Sequence, residues 1–208
     1  MSGTVVLQGG GPFRLHDDLD RRLLAGAGAD RVVVLPTADA FERPEVLVAD
    51  GMSWAERLEI DLDVLMVMSR PEALDEGAAD VVRSARAVWL VGDNPIHLRS
   101  VIKDTPVWQG VRDVLAAGGV VVGAGASASA LCDPMIDPRG GALALGLGLV
   151  SGLALVSQAE TVSIDRQARA RKLANVPLVF LPSSSALVRT DHGWETIGDH
   201  DAVGTLPA

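Results

Sequence analysis

Short runs of apolar, mostly β-branched residues alternate along the chain with longer segments in which apolar positions recur every three or four residues. The short runs predict strands at 4–7, 31–35, 63–68, 87–91 and 120–122. The longer segments predict helices at 17–27, 42–58, 71–85 and 107–117. Leu19, Leu23 and Leu24 share one face of the first helix, and Gly51 marks a break in the second. Pro71 stands at a first turn, where its missing N–H costs nothing, and Gly118–Gly119 close the fourth helix. Strands that are apolar throughout have no solvent face, so helices must cover both sides, as in parallel sheets. Right-handed crossovers then give an open, doubly wound, mostly parallel sheet with ligands beyond the carboxyl ends of its strands. Those ends carry Gly9–Gly11, Thr37–Ala40, Gly92–Asn94 and Gly123–Ser129.

The pattern shifts after residue 160. A strand at 161–164, a basic helix at 166–174 and a strand at 176–181 precede a hairpin of 186–189 and 194–197, turned at Asp191, His192 and Gly193. No linker and no repeat interrupts the chain, so residues 1–208 are expected to form one α/β domain. Residues 140–159 carry no charge, yet five glycines and two serines read better as a buried turn and strand than as a membrane span.

Composition narrows the function. Apolar residues make up 48% of 208, enough to offset the ordering entropy, so the chain folds. Eighteen basic against 27 acidic residues leave a net charge of −9, which repels phosphate backbones and anionic lipid heads. Nucleic acid and membrane are therefore not expected partners. A single cysteine, Cys132, excludes an internal disulfide and a multi-cysteine zinc site. Asp93, His97, Asp133 and Asp137 have no ligand spacing, so no metal and no cofactor is expected. The start of the chain has no basic, apolar leader, which points to the cytoplasm.

Two strand-end loops hold candidate chemistry. Gly9-Gly10-Gly11 lies between strand and helix, but no lysine follows as in a phosphate loop, and Asp17 and Asp18 open the helix. Its glycines suit a close approach to a neighbouring loop. Gly123-Ala124-Gly125-Ala126-Ser127-Ala128-Ser129 follows a strand directly. Small residues at a sharp strand-to-helix turn are the shape of a nucleophile elbow, with Ser127 as the serine by spacing alone.

The run Val88-Trp89-Leu90-Val91-Gly92-Asp93-Asn94 through Leu98-Arg99, then Thr105-Pro106, then Gly118-Gly119-Val120-Val121-Val122-Gly123, resembles the dipeptidase E–cyanophycinase family of serine peptidases. Gly9–Gly11, Leu35-Pro36-Thr37-Ala38 and Gly146-Leu147-Gly148-Leu149 extend the likeness over nearly the whole chain. The resemblance implies a class I glutamine-amidotransferase-like (flavodoxin-like) sheet and a homodimer. It also implies a Ser–His–acid triad, and there the chain departs. The family's nucleophile falls on Gly125 and the glycine two residues on falls on Ser127. The base, aligned on the arginine-rich helix ending Lys172-Leu173, falls on Ser163, and the acid falls on Ser183. The first glycine of the family's G-G-D-Q is Val91.

A triad works as a unit, so three lost members predict a catalytically degenerate homologue that keeps the scaffold. Its pocket for a small-molecule or peptide ligand would draw on Gly10, Gly11, Gly92, Asp93, Asn94, Ala126 and Ser127. The alternative is a hydrolase or transferase with Ser127 as shifted nucleophile, His97 as base and Asp93 orienting it. A cysteine glutaminase would need Cys132, which lies beyond the elbow and reads as a small apolar packer.

Overall fold

The structure is a computed structural model and describes residues 3–207. In chain order the elements are β1 (Thr4–Gln8), α1 (Asp17–Ala27), β2 (Arg31–Leu35), α2 (Pro44–Leu58), β3 (Asp61–Val64), α3 (Arg70–Ala73), α4 (Glu76–Arg83) and β4 (Ala87–Leu90). There follow α5 (Pro95–Ile102), α6 (Pro106–Ala116), β5 (Val120–Ala124) and α7 (Ala126–Leu131). Four two-residue strands come next, β6 (Cys132–Asp133), β7 (Met135–Ile136), β8 (Leu143–Ala144) and β9 (Val150–Ser151). The chain ends with β10 (Ala154–Ser157), α8 (Ile164–Leu173), β11 (Leu178–Leu181), β12 (Ala186–Thr190), β13 (Gly193–Ile197) and β14 (Asp201–Val203).

The central sheet has the order β13-β12-β1-β5-β4-β2-β3. The five strands from β1 to β3 run parallel, and the β12–β13 hairpin adds antiparallel at one side. Alternate residues of each strand feed opposite layers. Val5, Leu7, Val33, Leu35, Val88, Leu90 and Val121 face one core, covered by α4 to α7. Val6, Val32, Val34, Trp89, Val120 and Val122 face the other, with Leu19, Leu23 and Leu24 of α1 and Trp54 of α2. This is the two-layer burial that unbroken apolar strands require. A second, three-stranded sheet, β10-β11-β14, carries α8 beside it through Ala170.

Several boundaries differ from the sequence expectation. Helix α2 starts at Pro44 and runs unbroken through Gly51, which is buried with Leu62 and Phe13 close by. The segment expected as one helix at 71–85 is two, because Asp75 caps a new helix by accepting a hydrogen bond from Gly77 N–H. The third strand is 61–64 rather than 63–68. After Val64 the chain leaves the edge, and the buried Thr37 hydroxyl donates to the Val67 carbonyl at 2.7 Å. The expected strand at 161–164 is instead a 3₁₀ turn, Ala159–Thr161, followed by the start of α8. No helix among the described residues is long and apolar enough to cross a membrane.

Candidate functional site

The carboxyl ends of β1, β5, β4 and β2 converge on one cleft. Strand β5 turns into α7 at a single residue, Gly125, whose φ of 62° and ψ of −133° belong to a region that side chains populate at a cost of about 1–3 kcal/mol. Its N–H is fixed to the Gln8 carbonyl at 3.0 Å. This is the sharp, strained elbow expected of a nucleophile turn, and the residue at its apex has no side chain. A Cβ built at Gly125 would lie 3.3 Å from Gln158 Nε2 and 3.5 Å from Asp93 Oδ1.

The residue facing the elbow is therefore Gln158, not Ser163. Gln158 follows β10 in a left-handed conformation, its N–H donates to the Gly9 carbonyl at 2.9 Å, and its Nε2 donates to Asp93 Oδ1 at 3.3 Å. An amide at this place donates or accepts hydrogen bonds but cannot take up a proton near neutral pH. Ser163 is exposed and caps α8, accepting from Arg166 N–H at 3.4 Å. The alignment on the arginine-rich helix misses Gln158. The end of the apolar run at 153–156 was the better anchor, since a strand end fixes a side chain in the cleft and a helix start does not.

Ser183 does stand near Gln158. A Cβ at Gly10 would sit 2.8 Å from Ser183 Oγ and 2.9 Å from Gln158 Cγ, so the glycine loop threads between them, the close approach its sequence suggests. Ser183 N–H donates to both oxygens of Glu160, at 3.2 and 3.1 Å. Burial opposes the charge on Glu160, but its hydrogen bonds with Ser183 outweigh this and lower its pKa. His16 closes the back of the loop. It is buried, and its Nε2 lies 3.1 Å from the Gly10 carbonyl and 3.0 Å from the Ser183 carbonyl. Two acceptors require that nitrogen to carry the proton, and burial lowers the ring's pKa, so neutral His16 is a clip between two loops. Sequence spacing gave no sign of this, because the partners lie six and 167 residues away.

The shifted pair is not assembled. Ser127 is fully buried and donates to the Gly92 carbonyl at 3.3 Å. His97 places its Nε2 2.9 Å from the Met68 carbonyl and packs edge-on against Phe41, centroids 4.6 Å apart. Asp93 is engaged by Gln158 and, through its N–H, by Asp39 Oδ1 at 3.3 Å. Cys132 is buried, and burial pushes its thiol well above the ordinary range.

Of the expected pocket residues, Gly11, Gly92 and Asp93 line an open cleft of about 200 Å³ with Gly125, Gln158 and Arg14. Arg14 is held bidentate by Asp50, with its terminal nitrogen 2.7 Å from each oxygen. Asp39, on the same cleft, has a raised pKa from burial and from the charges of Asp93, Glu42 and Glu45. Asn94 lies outside the cleft, where its Oδ1 caps α5 by accepting from His97 N–H at 2.9 Å. Ala126 lines a second cavity beside the elbow. Among the described residues no group of three or more His, Cys, Asp or Glu side chains is arranged to hold a metal.

No family model matches the chain. Among curated proteins it is similar to a cyanophycinase of Geminocystis herdmanii (strain PCC 6308), with 22% identity over 165 residues, 72% of this chain. The match takes in 60% of that protein, so the chain spans about three-fifths of the curated relative's length. Among solved structures it superposes on a peptidase from an acI-B1 Actinobacterium with a TM-score of 0.87 and 21% identity, covering 98% of this chain and 94% of that one. It also superposes on a protein of Listeria monocytogenes EGD-e proposed to be a peptidase E, with a TM-score of 0.73, 16% identity and coverage of 94% and 98%. The fold is the fold of these peptidases. On that scaffold, a mostly parallel sheet flanked by helices, Gly125 occupies the elbow and Gln158 faces it.

Proposed function

We propose that this protein is a catalytically silent homologue of the dipeptidase E–cyanophycinase serine peptidases, on a class I glutamine-amidotransferase-like scaffold, and that its cleft binds a small molecule or peptide without cleaving it. The observation that carries this reading is Gly125 at the elbow apex with Gln158 opposite. Acyl transfer needs an oxygen or sulfur nucleophile at the apex and a base within hydrogen-bond reach to take its proton. Glycine supplies no such atom and glutamine no such base. The remaining polar groups of the cleft, Asp93, Asp39 and the Arg14–Asp50 pair, orient and charge a ligand rather than activate a nucleophile.

The experiment is an assay against aspartyl dipeptides and cyanophycin with the wild type beside Gly125→Ser and the double variant Gly125→Ser/Gln158→His. Neither the wild type nor Gly125→Ser should turn over substrate. The double variant restores two of the three parts and is the only one expected to gain measurable hydrolysis. Turnover by the wild type would overturn the proposal. Turnover by Gly125→Ser alone would mean that a base already stands in place.

A further inference from the structure

Strand β3 is an open edge of the central sheet, with β2 on one side and no strand on the other. Asp61 N–H donates to the Asp30 carbonyl and Leu65 N–H to the Val34 carbonyl, each at 2.9 Å. Main-chain groups along a strand point alternately to its two sides, so those of Leu62 and Val64 point away from β2. Neither residue's N–H nor its carbonyl has a hydrogen-bond partner among the described residues. Beside this edge a groove of about 590 Å³ separates β3 from α2. Its floor is apolar, built from Met52, Ala55, Ile60 and Leu62, and Met52 is 54% exposed. Its rim is acidic. Arg31 is paired with Asp63 at 2.7 Å, which leaves the carboxylates of Glu56 and Asp61, both exposed and without an ion-pair partner among the described residues.

We infer that the β3 edge and this groove are a docking site for an extended, basic segment of another protein, which adds a strand to β3. Its main chain pairs with Leu62 and Val64, an apolar side chain rests on Met52 and Leu62, and neighbouring lysines or arginines meet Glu56 and Asp61. Strand addition draws affinity from main-chain hydrogen bonds and selectivity from alternate side chains. Charge decides between occupants. A second copy pairing edge to edge would bring the Asp61 and Asp63 carboxylates of both chains together, and like charges opposite one another destabilise a strand pair. Charges on an edge strand guard against self-association in this way. A basic segment meets no such repulsion, and the net charge of −9 steers it in. Neither Gly125 nor Gln158 lines this groove, so the inference stands apart from the silent elbow.

The test is an amide-detected NMR titration of the full chain with the end-capped peptide Lys-Val-Lys-Val-Lys. This peptide should shift the Leu62 and Val64 amides saturably and slow their hydrogen exchange, and Glu-Val-Glu-Val-Glu should do neither. The basic peptide N-methylated at its three central residues keeps its charge but loses the ladder donors, and should bind the wild type at least about fivefold more weakly. The double variant Glu56→Gln/Asp61→Asn should weaken the basic peptide about three- to tenfold and flatten its salt dependence. Leu62→Pro removes only the outward-facing N–H, which an edge strand tolerates, and should weaken the peptide about fivefold. If Leu62→Pro does not fold, the N-methylated peptide puts the same question to the wild type. Unmoved Leu62 and Val64 amides, equal binding of the acidic or the N-methylated peptide, or undiminished binding to the double variant would overturn the assignment. So would protection of those two amides in the peptide-free protein together with a doubled mass, which would give the edge to a second copy.

Discussion

Asp20 is buried within α1, where its two oxygens accept from Gln8 Nε2 at 2.7 Å and Trp54 Nε1 at 3.1 Å. Burial is the larger effect and raises its pKa from 3.8 to about 7, against those two hydrogen bonds. Below about pH 4 the carboxyl is protonated in both folded and unfolded chains. Between there and pH 7 the folded state keeps a proton the unfolded chain has released, so stability falls as pH rises and levels off above about 7. Asp20→Asn removes this dependence. Its oxygen can accept from Trp54, and its amide can donate to Gln8 Oε1, which is buried without a partner, once the Gln8 amide turns over. Denaturant unfolding should show the variant gaining about 3–4 kcal/mol on the wild type between pH 4 and pH 8. Parallel pH profiles would contradict the assignment. At the elbow, Gly125→Ser places a side chain at φ of 62° and should lower stability by about 1–2 kcal/mol without producing hydrolysis. The structure turns β5 into α7 at Gly125. Spacing alone put the elbow serine on Ser127, and Gly125 as the apex was legible only through the family resemblance. Gln158 was not, since a left-handed residue between a strand and a 3₁₀ turn leaves no periodic signal. His16, whose partners come from two distant loops, was not legible either.

Helix starts decide how the elements frame the cleft. Thr105 ties α5 to α6, capping α6 by accepting from Trp108 N–H at 3.3 Å while its hydroxyl donates to the carbonyl of Ile102, the last residue of α5, at 2.6 Å. It is buried, so Thr105→Val leaves both backbone groups without that partner and should cost about 1–2 kcal/mol of unfolding free energy. No change in thermal or chemical stability would show that water replaces the hydroxyl. Caps also explain which elements could be read in advance. Helices α1 and α6 carry a regular apolar stripe and end at Gly28 or before Gly118, and their bounds were expected to within a residue. Helix α5 has its signal in Asn94-Pro95, a capping side chain followed by a first-turn proline, and not in periodicity over its eight residues. Strand β3 was displaced because the apolar run around Leu65 and Val67 serves the core of the following turn. The ladder itself pairs Arg31 with Asp61 and Val34 with Val64 at the sheet edge.

For the whole molecule, alternation of apolar strands and amphipathic helices was enough to give the two-layer parallel sheet, because burial of both strand faces admits few other arrangements. The second sheet behind α8 was not foreseen, since β10 and β14 are short and pair with β11 across 21 to 25 residues. Assembly is a separate proposal. We expect a homodimer, and exposed Phe41 at 77% and Met66 at 48% offer apolar surface to cover in an interface of more than about 1,000 Å². Light scattering at micromolar concentration should return twice the chain mass, and a monomer would contradict it. The central claim concerns the cleft at the strand ends, and the most direct measurement is intact mass after incubating the folded wild type with a fluorophosphonate. A protein that has neither a nucleophile at residue 125 nor a base at residue 158 should keep its mass unchanged. A stoichiometric adduct, above all one mapped to Ser127, would show a working nucleophile and contradict the account.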